Sequence, residues 1–178
     1  MSKYERAKHE FLLDQAIYFI DKPDLYLSIK NKMALALGQP GSAIRICGSA
    51  YWGKKYRDET PFEPGVSDLD IAIVSPLLFS QCMTEIREIC AGFTDLTPFP
   101  VKGSENTYET FRQYAVKKGM LRADFLPNVP TMQKLKRIAH HVSGDYLEHF
   151  SRITTCIYDS DDAFALKQTF ALEKIGGS

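Results

Sequence analysis

Two carboxylates, Asp68 and Asp70, stand two positions apart in the segment DLDIAIV, residues 68–74. Successive side chains of a strand alternate faces, so this segment sends Asp68 and Asp70 one way and Leu69, Ile71 and Ile73 the other. The apolar set belongs in a core. Two like charges side by side need a separate reason, because they repel unless a cation lies between them. A third acid, Asp124, lies in MLRADFL, residues 120–126, where it shares a face with Arg122. If the two strands are neighbours, Asp124 completes a three-carboxylate cluster. Hard oxygen ligands of this kind suit Mg²⁺ or Mn²⁺. Two such ions about 4 Å apart stabilise both the attacking and the leaving oxygen of an in-line phosphoryl displacement.

Gly48-Ser49 supplies the other half, directly after the β-branched run AIRIC, residues 43–47. A glycine there lets the backbone come close to a ligand. Ser49 then offers a hydroxyl and an N–H to phosphate oxygens at the start of a short helix. Strand, Gly-Ser, loop, then Asp-x-Asp on the next strand is a coherent arrangement for a metal-bound triphosphate.

Stepping outward, the apolar spacing predicts a helix over 3–20, with Phe11, Leu12, Ala16, Phe19 and Ile20 on its stripe. A second helix begins at Pro23 and stops at Gly38-Gln39-Pro40-Gly41. Further helices are expected over 76–91, capped by Ser75, over 107–118, over 130–149 and over 161–174. Residues 92–106 read as loop and ITTCIY, residues 153–158, as a fourth strand. The expectation is one α/β domain over 1–178, a small mixed sheet of about four strands covered by helices. Its parts are the N-terminal helices (1–40), a core bearing the motifs (43–126) and a C-terminal helix–strand–helix (130–175).

ICGSAYWG, GVSDLDIAIV and LRADF together resemble the polymerase-β-like nucleotidyltransferase superfamily, over Ile44 to Leu126. That family carries an apolar strand ending in Gly-Ser, an Asp-x-Asp on the next strand and a third carboxylate on a later one. The resemblance implies that Gly48 and Ser49 bind the triphosphate, that Asp68 and Asp70 ligate two Mg²⁺ or Mn²⁺ ions, and that Asp124 is a ligand or the base that activates the acceptor hydroxyl. The family's usual loop is shorter: here Ser49 and Asp68 are 19 positions apart. The added length brings Lys54, Lys55 and Arg57, of which Lys54 and Lys55, with Arg122, are taken as phosphate-binding candidates. Many members also carry a helical domain that holds the acceptor. About fifty residues follow Asp124 here, so acceptor recognition is minimal or comes from a partner.

The expected activity is transfer of a nucleoside monophosphate from a triphosphate, ATP foremost, to a hydroxyl of a small molecule or protein. The alternatives are a non-catalytic nucleotide- or protein-binding module and a glycosyltransferase using Asp-x-Asp. In the last of these Gly-Ser has no role. With 22 basic and 22 acidic residues, the chain has no gross attraction to polyanions. Seven basic residues against one acid between Arg112 and Arg137 form a local patch. That is enough for a triphosphate but not for tracking a long nucleic acid, which is not an expected partner. Cys47, Cys82, Cys90 and Cys156 have no metal-finger spacing and read as buried thiols in a reducing compartment. With no apolar run of membrane length and no signal-peptide pattern, a cytoplasmic protein without a membrane partner is expected. His141, Asp145 and His149 recur every four residues and read as surface positions of a helix. Tyr51 and Trp52 read as core packing beside the Gly-Ser turn.

Overall fold

The computed structural model describes residues 2–13, 16–55 and 57–175. In chain order the elements are α1 (Lys3–Leu13), α2 (Pro23–Leu37), β1 (Ile44–Cys47), α3 (Ser49–Trp52), β2 (Leu69–Val74), α4 (Pro76–Ile89), β3 (Val101–Lys102), β4 (Glu105–Asn106), α5 (Tyr108–Lys118), β5 (Met120–Arg122), α6 (Pro130–Gly144), β6 (Ile153–Tyr158) and α7 (Asp161–Ile175). Local chemistry sets several boundaries. Pro23, Pro76 and Pro130 stand in the first turns of α2, α4 and α6, where a missing N–H costs nothing. The Ser75 hydroxyl accepts a hydrogen bond from the Leu78 N–H (3.3 Å) and caps α4. Gly38 closes α2 in the left-handed region (φ +66°), its N–H bonding back to Ala34 and Leu35 carbonyls.

Four strands form one mixed sheet in the order β1-β2-β6-β5. β1 is antiparallel to β2, β2 is parallel to β6, and β6 is antiparallel to β5. The last strand in the sequence is therefore central. One face carries Ile44, Ile46, Leu69, Ile71, Ile73, Leu121 and Ile157, all nearly or wholly buried. The other carries Cys47, Asp70, Arg122, Thr154, Cys156 and Tyr158, as the register requires. Tyr158 meets the Phe164 ring of α7 edge-on at 5.3 Å, so α7 lies over the face that Asp70 occupies. α1 packs along α7, while α6 contacts both α2 and α4 and all three contact the sheet.

Four expectations are corrected. The first predicted helix breaks: α1 ends at Leu13, Ala16 is extended (φ −60°, ψ 138°) and a single 3₁₀ turn follows at Ile17–Phe19. The break lets Phe19 bury fully against Tyr26 and Phe150. The side chains of Phe11 and Leu12 lie outside the described residues. The strand expected over 120–126 stops at Arg122, where a turn closes with the Phe125 N–H on the Arg122 carbonyl (3.3 Å). The helix expected to reach 149 ends at Gly144, yet Tyr146 stays buried by following it in turns. The stretch read as loop over 92–106 holds the small β3–β4 hairpin. All four cysteines are buried and free. No helix among the described residues is long and apolar enough to cross a membrane.

Candidate functional site

β1 delivers the chain to Gly48, whose backbone (φ +68°, ψ −153°) lies in a region only glycine occupies readily. The reason is visible across the β1–β2 pair. A Cβ built on Gly48 would stand 2.1 Å from Asp70 Oδ2, so the carboxylate fills the space a side chain would take. On its other side Asp70 is in register with Thr154 of β6, whose hydroxyl donates to Asp70 Oδ1 at 2.5 Å. Burial pushes the Asp70 carboxyl above its ordinary value. The Thr154 hydrogen bond and the Arg122 and Arg152 charges pull the other way, and the Asp68 charge adds to the rise. Asp70 is thus a half-buried acid whose charged form burial disfavours.

Asp68 comes one residue before β2 and points to the same side as Asp70. Both its oxygens are engaged. Ser151 donates to Oδ1 (2.7 Å), and Arg152 donates to Oδ2 through Nε (2.9 Å) and Nη2 (2.8 Å). Two backbone bonds, Leu69 N–H to the Arg152 carbonyl (2.9 Å) and Ser151 N–H to the Ser67 carbonyl (3.1 Å), hold the two segments together.

The strands that carry Asp70 and Arg122 are not neighbours, because β6 runs between them. The condition for the three-carboxylate cluster is therefore not met: the position beside Asp70 is Thr154. Asp124 lies in the turn after β5, paired with Arg122 (3.1 Å) and Lys102 (3.7 Å). Among the described residues no three carboxylate, imidazole or thiol groups gather closely enough to hold one ion. The remaining donor set, two carboxylates on one face, suits a hard divalent cation in kind. An ion at Asp68 would have to displace Arg152 from Oδ2.

Two cavities meet at Gly48 and Asp70. The larger, about 570 Å³, runs under α7 and is lined by Arg122, Asp124, Arg152 and Thr154 among others. The smaller, about 470 Å³, is lined by Ser49, Lys55, Arg57, Ser67 and Asp68. Gly48 and Asp70 line both cavities, Ser49 and Asp68 line the smaller, and Arg122 and Asp124 line the larger. Lys55 borders the smaller too. Lys54 borders neither; it pairs with Glu59 (3.1 Å). Tyr51 is buried as expected, whereas Trp52 also borders the larger cavity. His141, Asp145 and His149 part company: His141 is exposed, Asp145 pairs with Lys32 (2.9 Å), and His149 Nδ1 meets the Tyr18 hydroxyl (3.0 Å).

Ser151, Arg152 and Thr154 were missed from the sequence. The available signal was a hydroxyl at an inward position of an otherwise apolar strand, preceded by Ser-Arg. Comparisons with protein families, with curated proteins and with solved structures found no match to this chain.

Proposed function

We propose that the chain is a metal-dependent nucleotidyltransferase. The observation that carries the reading is the fit of Gly48 to Asp70, which sets a Gly-Ser turn and an Asp-x-Asp pair against each other where two cavities join. In this reading Ser49, Lys55 and Arg57 hold the triphosphate in the smaller cavity, and the acceptor enters the larger one. Asp68 and Asp70 would hold Mg²⁺ or Mn²⁺, which when bound draws off charge from the phosphates. The acceptor oxygen bonds to the α-phosphorus, the bond from that phosphorus to the bridging oxygen breaks, and pyrophosphate leaves with the electron pair. The hydroxyl proton passes to Asp124, which opens on the larger cavity and is better sited as a base than as a metal ligand. ATP is the expected donor.

A second reading, a nucleotide-binding module without turnover, draws on Arg152 occupying Asp68 and on Thr154 standing beside Asp70. Pyrophosphate release separates the two. The four ribonucleoside triphosphates are screened with Mg²⁺ and Mn²⁺ in the presence of cell extract, using wild-type and Asp70→Asn protein. Metal-dependent release lost in Asp70→Asn supports the transferase. Triphosphate binding with no release from any combination supports the module.

A further inference from the structure

The larger cavity holds groups that the phosphate chemistry above leaves unused. Gln168 lies on the inward side of α7, 8% exposed, flanked by the buried Ala165, Ala171 and Leu172. Its primary amide lines the cavity and hydrogen-bonds to none of the described residues. A primary amide carries two donors and an acceptor, and Gln168 faces the cavity with those atoms accessible from it. This one is left to whatever fills the cavity.

The charge around it is lopsided. Arg122, Lys136, Arg152 and Lys167 line the cavity against Asp70 and Asp124. Arg122 and Arg152 are already paired with carboxylates. Lys136 and Lys167 have no carboxylate within ion-pairing reach among the described residues. The Lys167 ammonium lies 5.5 Å from the centre of the Phe170 ring, which is half exposed at the cavity. Cys47, Met120, Cys156 and Ala171 add apolar surface to the same lining. A space of about 570 Å³ is of the size that takes a small organic molecule.

We propose that this cavity binds a nucleoside monophosphate, with Gln168 reading the donor–acceptor edge of its base and Lys136 and Lys167 meeting its phosphate. A base edge presents adjacent donor and acceptor atoms that a carboxamide matches in pairs. The flat ring suits the apolar surface, and the phosphate suits two unpaired ammonium groups. Taken with the transferase reading, on which this part rests, the molecule is the acceptor, so the product joins two nucleotides through a phosphodiester.

Isothermal titration of AMP, CMP, GMP and UMP into the full chain, in chelator and without triphosphate, tests the site. At least one monophosphate binds; the matching nucleoside and ribose 5-phosphate bind at least about tenfold more weakly. Gln168→Leu weakens the monophosphate by about tenfold, as loss of a paired amide does, and leaves ribose 5-phosphate unchanged. Lys136→Ala combined with Lys167→Ala weakens both phosphates. Gln168→Glu, which keeps the volume, alters the order of preference among the four bases. Melting curves of each variant confirm that it is folded. Lys55→Ala, at the smaller cavity, weakens triphosphate and not monophosphate. Failure of all four monophosphates to bind overturns the proposal. So does binding that ignores Gln168 and the lysines but falls in Lys55→Ala, since the ligand then sits in the triphosphate seat. Monophosphate binding that depends on Gln168, with no triphosphate binding under any metal, upholds the cavity and overturns the transferase reading.

Discussion

Gly48 and Asp70 are shaped to each other: the carboxylate of one occupies the volume that any side chain on the other would need, with 2.1 Å between Oδ2 and a constructed Cβ. Gly48→Ala therefore fails twice. The backbone at φ +68°, ψ −153° is strained for alanine by about 1–3 kcal/mol, and Asp70 must turn away. The expected outcome is a lower melting temperature and loss of triphosphate binding. Adding Asp70→Gly removes the collision and recovers part of the melting temperature but none of the binding. A double variant no more stable than Gly48→Ala would mean that the backbone strain, not the contact, sets the cost.

Asp70 carries a pH signature. Burial raises its carboxyl above the ordinary 3.8, so the folded protein disfavours the charged form. A raised acid contributes stability that is fully present below the unfolded-state value and is lost as pH climbs through the folded-state value. Asp70→Asn escapes that loss and keeps an oxygen for the Thr154 hydroxyl. In chelator at about pH 7.5 it melts higher than wild type, by about 2–4 °C for each kcal/mol recovered. The gap narrows as pH falls toward about 4 and below. An Asp70→Asn protein that melts lower than wild type at neutral pH would contradict this account. On the proposed transferase reading the same variant also loses metal-dependent turnover, so stability and activity would move in opposite directions.

On the proposed transferase reading, a metal ion would have to compete with Arg152 for Asp68. Two Arg152 N–H groups donate to the single oxygen Oδ2 and the pair faces solvent, with the arginine side chain 70% exposed, so its worth is about 0.2–1 kcal/mol after screening. Arg152→Ala accordingly tightens Mn²⁺ binding by up to about fivefold at low salt, read by titration of the free ion's magnetic resonance signal. Raised salt brings the two proteins together. Unchanged or weaker Mn²⁺ binding in Arg152→Ala would show that the guanidinium supports the ion site instead of masking it.

The facing of the Gly-Ser turn and the Asp-x-Asp strand was legible in the sequence, because both are local patterns and strand alternation fixes which way Asp68 and Asp70 point. The caps at Ser75 and Gly38 and the strand over 153–158 were legible for the same reason. What local pattern cannot carry is strand order. Asp124 was expected beside Asp70 on the strength of alternation within its own segment, yet β6 is inserted between them. The same insertion brings Ser151, Arg152 and Thr154, 83 or 84 positions away in sequence, onto the two acids. Lys54 and Lys55 looked equivalent as neighbours. Their separation depends on the turn around Glu59, where backbone bonds link Lys55 to Thr60 and Glu59.

The central position of β6 also governs the order in which a newly made chain can assemble. Until residues 153–158 leave the ribosome, β2 has one partner strand and presents the other edge of LDIAIV unpaired, while β5 has no partner at all in this sheet. An apolar edge of that kind is a template for other chains. Asp68 and Asp70 meanwhile lack every hydroxyl and guanidinium that holds them in the finished protein, since all of those groups arrive with the same late segment. The two acids therefore gain their partners late in synthesis, by a parallel pairing across roughly half the chain, which is the slow kind of contact. A nascent chain stalled before Ser151 would hold its Gly-Ser turn and its acids and still bind nothing, and it would be the species most in need of a chaperone.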